Sequence, residues 1–162
     1  MDVSTKTILW QQTGASIDML ENAMIACPVE YWNTNSKFWY ISYHTLFYLD
    51  YYSSDPENFS PPEPFTLSEL DPEDKMPDRV YDKEELLNFL KIGREKCYRL
   101  IAGLTAESAE KSFINERKNY SILEMIIYNM RHVQHHAAQL NLLLRQNINE
   151  APRWISRSDL KL

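Results

Sequence analysis

The sequence predicts an all-α fold, a four-helix bundle with a long crossover between its second and third helices. Three observations predict it. Four runs carry apolar residues three and four positions apart, the period of a helix with one face turned inward. Two of these runs open on a capping box, Asp82 with Glu85 and Ser121 with Glu124. Only three glycines occur in 162 residues, and little of the chain alternates apolar with polar, which argues against an all-β fold. Four long helices joined by one short, one very long and one middling connection pack most naturally as a bundle.

The first helix is expected over 5–26, with Leu9, Met19, Leu20 and Ala23 as apolar positions and Pro28 ending it. Gly14 weakens its middle by about 1 kcal/mol relative to alanine, an amount that packing absorbs. The second helix, 37–52, takes Asn35 or Ser36 as its cap and is filled with aromatic residues. With His44 set at zero, Tyr40, Ile41, Phe47, Tyr48 and Tyr51 fall within about 60° of it, a face expected to be buried. Residues 53–81 hold six of the eight prolines and a string of carboxylates, and read as a solvated crossover that Phe59 and Phe65 can pin. Its acidic stretch, FTLSELDPED, lacks the spacing and central glycine of a calcium loop.

The third helix, 83–104, carries a seam of Leu86, Leu90, Gly93, Cys97, Leu100 and Leu104, with Gly93 permitting close approach of a neighbour. A polar connector over 105–120, with room for a helical turn, leads to the fourth helix at 121–146. Beyond it, Pro152 prevents continuation and Trp154 is expected to anchor the tail by packing.

At this length one domain, 1–162, is expected, with a core that needs no staples. The formal charge of −6 disfavours a partner made of nucleic acid. Cys27 and Cys97 match no metal-ligand spacing and read by default as free thiols of a reducing compartment, with a bridge between them as the alternative. With no long apolar run and no leader pattern, neither a membrane span nor export is expected, and the cytoplasm is the predicted location.

Three of the four histidines lie in the fourth helix. Counting from Ile122 at about 100° per residue, the apolar stripe through Ile126, Val133, Ala137 and Leu140 spans roughly 0–80°. His132 falls near 280° and His136 near 320°, on the shoulder of that stripe, while His135 falls near 220°, toward water. Two imidazoles at i and i+4 on one face can share an ion, although a histidine on such a shoulder is ordinarily a hydrogen-bonded core group. His44, amid its aromatic face, needs partners for both nitrogens, and a tyrosine hydroxyl or a metal can serve. Packed against each other, the second and fourth helices can bring three neutral imidazoles together, the ligand set of a catalytic zinc site with an open position. Val133 stands where a zincin helix requires its catalytic glutamate, and the Glu-x-x-His pairs of a di-iron bundle are absent. No Gly-rich phosphate loop, Gly-x-Ser-x-Gly elbow or Cys-x-x-Cys pair occurs.

A histidine in FWYISYHTLFYLDYY, a long crossover, and then His132, His136 and Gln139 in NMRHVQHHAAQLN resemble the DinB/YfiT-like metalloprotein superfamily. The likeness runs over nearly the whole chain, from LWQQTGASIDMLENA onward. It implies a bundle of four main helices, metal ligands His44, His132 and His136, and a homodimer. It implies zinc or nickel as the ion, with iron or manganese as further options. It also implies a low-molecular-weight thiol cosubstrate, since characterised members include transferases and isomerases that use bacillithiol, mycothiol or glutathione. Where the family often shows His-Arg-Gly-Gln, this chain has His136-Ala137-Ala138-Gln139, which keeps the ligand and loses the arginine.

The resulting expectation is a divalent-metal-binding protein that acts as a thiol-dependent S-transferase on a small molecule. Tyr40, Tyr48 and Tyr128, each a turn from an expected ligand, are the candidates for orienting that molecule or donating a proton, against the plainer role of packing. No carboxylate is within obvious reach as a base. The rival readings are a non-enzymatic metal-binding or stress-associated interaction module, and a bundle whose histidines are only core polar groups.

Overall fold

The computed structural model describes residues 1–73 and 75–159, so Asp74 of the acidic stretch and the last three residues lie outside the described residues. The chain is mostly helical with one small sheet: α1 Val3–Ala26, α2 Val29–Trp32, α3 Phe38–Tyr51, α4 Lys83–Ala102, α5 Ala106–Glu110, β1 Ser112–Asn115, β2 Lys118–Ser121 and α6 Ile122–Ile148. A single 3₁₀ turn, Ser68–Leu70, interrupts the crossover. Both expected capping residues act at helix starts: Asp82 and Glu85 form a full box on α4, and Ser121 accepts from the Glu124 backbone on α6. The start of α3 differs from expectation. Neither Asn35 nor Ser36 caps it; Lys37 holds the N-cap position without a side-chain bond, in the left-handed region at φ 51°, after the short α2 that no sequence signal marked.

The long helices pair α1 with α6, α6 with α3, α3 with α4 and α4 with α1, so the pairings close a ring around one cluster of buried side chains. Large aromatic and aliphatic residues fill that cluster, among them Trp10, Tyr43, Phe47, Phe89 and Leu20. Where α4 meets α3, a Cβ on Gly93 would stand 3.1 Å from Leu49 Cδ2, so the glycine sets the separation of these helices. Arg94 of α4 reaches Asp18 and Glu21 of α1 at 2.5 and 2.7 Å. On α6, Asn129 joins the buried stripe and donates to Leu49 O and Ser53 Oγ of the α3 end.

The connector over 105–120 is not simply polar coil. After the short α5, β1 and β2 form an antiparallel hairpin in register Ser112↔Ser121 to Asn115↔Lys118, with Phe113 buried and the Asn115 side chain accepting from the Arg117 amide. The tail returns along α1: the Ser158 amide donates to Gln11 O, and a Cβ on Gly14 would lie 2.9 Å from Ser158 Cβ. Gly14 is thus a contact point, whereas Trp154, expected as an anchor, is 68% exposed beside Met19 and Leu142. Cys27 and Cys97 are free and buried, and burial pushes their thiols up to about 11 and about 12. Among the described residues no helix is long and apolar enough to cross a membrane.

One buried charge tests this packing. The Asp50 carboxylate is fully buried on α3 and meets Lys96 of α4 at 2.5 Å; burial pushes its pKa up while the lysine pulls it down. Lys96→Met strands that carboxylate and is expected to lower unfolding free energy by about 3 kcal/mol, whereas Asp50→Leu with Lys96→Met recovers most of it. Urea unfolding of the two variants checks both outcomes.

Candidate metal centre

α3 and α6 lie side by side, and this brings three imidazoles together. His132 Nε2 is 3.4 Å from His44 Nε2 and 3.1 Å from His136 Nε2, and one ligand atom from each ring lies within 4.8 Å of the others. His132 and His136 project from one side of α6 because they are one turn apart, and His44 meets them from α3. His135 is exposed and stands outside this group of three. The expectation that the aromatic face buries His44 needs correction: its side chain is 29% exposed, at the edge of a core occupied by Tyr43, Leu46 and Phe47 instead. The cluster therefore opens on the surface.

The far side of each ring decides its chemistry. His44 Nδ1 bonds Glu69 Oε2 at 2.6 Å, and Glu69 is almost wholly buried, with 4% of its side chain exposed. His136 Nδ1 bonds Gln139 Oε1 at 2.7 Å. With the Nδ1 protons donated there, the Nε2 atoms of both rings are bare lone pairs aimed into the cluster. A proton on His132 Nε2 can satisfy only one of them well, and His132 Nδ1 is itself buried without a partner. A cation in the middle removes the conflict. The two separations from His132 Nε2, 3.1 and 3.4 Å, lie close to the edge of about 3.3 Å that a tetrahedral ion with bonds of 2.0–2.1 Å requires. The donor set fits a divalent ion.

Electrostatics keeps the rings ready. Burial, then the neighbouring imidazoles, lowers His132 from its ordinary 6.5 to about 3. Burial also lowers His136, to about 4, against the Gln139 bond and with further help from His44. Both are neutral, metal-competent bases at neutral pH.

Glu69 was not foreseen. It belongs to the acidic stretch read as solvated, yet its side chain is buried against His44 as a hydrogen-bond partner. The crossover carrying it is held down by Tyr43, whose hydroxyl bonds Thr66 O and Ser68 Oγ at 3.0 Å, and by Tyr48, whose hydroxyl donates to Glu69 O at 3.0 Å. Phe65 stacks on Phe89 with ring centroids 4.2 Å apart, and Phe59 packs edge-on against Phe47 and Tyr51. The pinning by both phenylalanines follows the sequence; the carboxylate they deliver had no marker beyond lying in a run of acids.

Of the three tyrosine candidates, Tyr48 lies closest, with its ring 4.9 Å from His44 and 5.5 Å from His132. Its hydroxyl is spent on the crossover backbone. Tyr40 sits 6.4 Å from His44 by ring centroids, and burial together with the Glu69 carboxylate raises its phenol above the usual range. Tyr128 packs on Tyr52 at 5.4 Å and carries Lys118 over its ring. Two clefts lie away from the histidines, one of about 460 Å³ between the α4 end and β1, the other beside Trp154. No family model, curated protein or solved structure matches the chain.

Because His132 and His136 stay unprotonated in the folded chain at pH values where the unfolded chain binds protons, their contribution to stability is lost as pH falls from about 6.5 toward 4. In the metal-free protein, imidazole proton resonances of these two rings are expected to titrate with midpoints below about pH 5. A midpoint for either near its ordinary value contradicts the packed geometry.

Proposed function

We propose that this chain is a DinB/YfiT-like four-helix bundle that holds a divalent ion on His44, His132 and His136 and acts as a thiol-dependent S-transferase. The observation that carries this reading is the convergence of three ring nitrogens, His132 Nε2 at 3.1 and 3.4 Å from the other two and all within 4.8 Å of one another, with two of the rings committed through Nδ1 to Glu69 and Gln139. The pattern His-x-x-x-His-x-x-Gln, the long crossover and the ring of paired helices support the family assignment. Neutral imidazoles favour zinc or nickel, and iron or manganese are also accepted. When bound, such an ion supplies Lewis acidity and lowers the pKa of a thiol or water at its open position. Glu69 fixes the tautomer and orientation of His44, Gln139 does the same at His136, and Tyr48 holds the Glu69 backbone in place. Glu69 is engaged at Nδ1, so it is a positioning group, not a base for water. That favours transfer by a nucleophile the cosubstrate brings over hydrolysis.

One observation favours the second reading, a non-enzymatic metal-binding module. Burial pushes the Tyr48 phenol up to about 12 and the Tyr40 phenol higher, so neither is poised to exchange protons at neutral pH. Metal-dependent turnover of electrophiles with several small thiols, compared between loaded and chelated protein, separates the two.

Elemental analysis of untagged protein is expected to find one divalent ion per chain, absent in His44→Ala and His136→Ala and retained in His135→Ala. Loss in His135→Ala alone would mean a different ligand set. Glu69→Gln is expected to keep the fold and weaken metal affinity by about 10–100-fold, read by competition with a chromophoric chelator.

A further inference from the structure

We propose that the β1–β2 hairpin gives the three-histidine site an anion-recognising subsite, in which Lys118 binds a negatively charged group on the same small molecule that meets the metal. The inference rests on the metal reading above and adds a substrate class to it: a ligand with a metal-binding atom and an anionic group, such as a carboxylate, a few bonds away.

Lys118 opens β2 and is half-buried. Its ammonium lies 4.9 Å from the Tyr128 ring and 5.4 Å from the Tyr52 ring. The Tyr52 ring in turn stands 6.1 Å from His132 and 5.2 Å from Tyr48, so the ammonium is one aromatic ring away from the ligand cluster. Arg117 is the neighbour of Lys118 at the hairpin tip. Among the described residues neither cation has an ion-pair partner, although the chain holds 23 carboxylates against 17 lysines and arginines and other cations have found theirs. Unpaired lysines in open solvent are ordinary. Lys118 differs because two aromatic faces hold its head in place without neutralising it, so its full charge stays available to a ligand. Glu69, the carboxylate at the cluster, is already bonded to His44. An ammonium serves as a point charge for a carboxylate without needing paired geometry.

The test uses cobalt(II)-loaded full-length protein and two thiols of nearly equal size, 3-mercaptopropionate and 3-mercaptopropionamide, followed by thiolate-to-cobalt charge-transfer absorption. The carboxylate is expected to bind about tenfold more tightly than the amide. That advantage is expected to fall below about threefold in Lys118→Met, which keeps the aliphatic packing, and to return in Lys118→Arg. Equal binding of the two thiols by the wild-type protein, or an advantage that survives Lys118→Met, overturns the proposal. If Lys118→Met does not fold, salt decides on the wild-type protein: an advantage that shrinks at high ionic strength supports the subsite, and one that does not overturns it. Failure to take up cobalt defeats the metal reading itself, a different result from cobalt uptake without preference.

Discussion

Lone pairs that face one another at hydrogen-bond distance are unstable unless a proton or a cation lies between them. At the α3–α6 seam His132 Nε2 is brought to that distance from both His44 Nε2 and His136 Nε2, while those two rings give their Nδ1 protons to Glu69 and Gln139 on the far side. The fold forces this approach by means that have nothing to do with the histidines themselves. Asn129 ties α6 to the carbonyl of Leu49, Gly93 lets α4 press α3 from behind, and a ring of helix contacts leaves neither helix free to roll. Packing energy is distributed over many buried side chains, so a local repulsion of this kind persists because relieving it would disturb the core.

The crossover completes the arrangement. A segment so rich in proline and carboxylate has little tendency to fold by itself, and its order comes from aromatic side chains at both ends of the contact. Phe65 enters the core beside Phe89 and Tyr81, and hydroxyls of Tyr43 and Tyr48 take up backbone and side-chain groups of 66–69. Burying Glu69 this way is costly for a carboxylate unless its partner is polar, and His44 is that partner. The aromatic density of α3, which looks like surplus hydrophobicity in the sequence, serves on one side to fill the core and on the other to hold a loop against a histidine.

Angular reckoning on a single helix recovers much of this. The helical period places His132 and His136 on one shoulder and His135 outside, and the structure has them so, because an uninterrupted helix transmits phase faithfully over 27 residues. Gly93 and both capping residues were readable for the same local reason. What failed was non-local or lacked a signal. Glu69 is one acid among many, and only the three-dimensional path of the crossover singles it out. The hairpin turns on Glu116 and Arg117, not on the Asn-Gly or Asp-Gly that marks such turns, so its two short strands were invisible. His44 was placed too deep since a helix with apolar residues nearly all round has no clear phase. Trp154 was misread because size alone does not say which side of a tail meets the protein.

The unforeseen parts share a position. Glu69 and the hairpin cations come from the two connections, not from the helices, and both stand around the ligands that the helices supply. Helices hold ring nitrogens to within a few tenths of an ångström, as a coordination site requires. Connections can change charge without disturbing the core, which suits them to set what a site accepts. On the proposed reading, a negative group fixed behind His44 strengthens a metal ligand, whereas a positive group fixed over Tyr128 and Tyr52 adds attraction in front of it. Placed the other way round, an acid at the mouth would repel an anionic ligand, and a lysine at His44 Nδ1 would compete with the metal for the ring. The distribution of charge over the two connections is the one that the proposed metal and anion sites need.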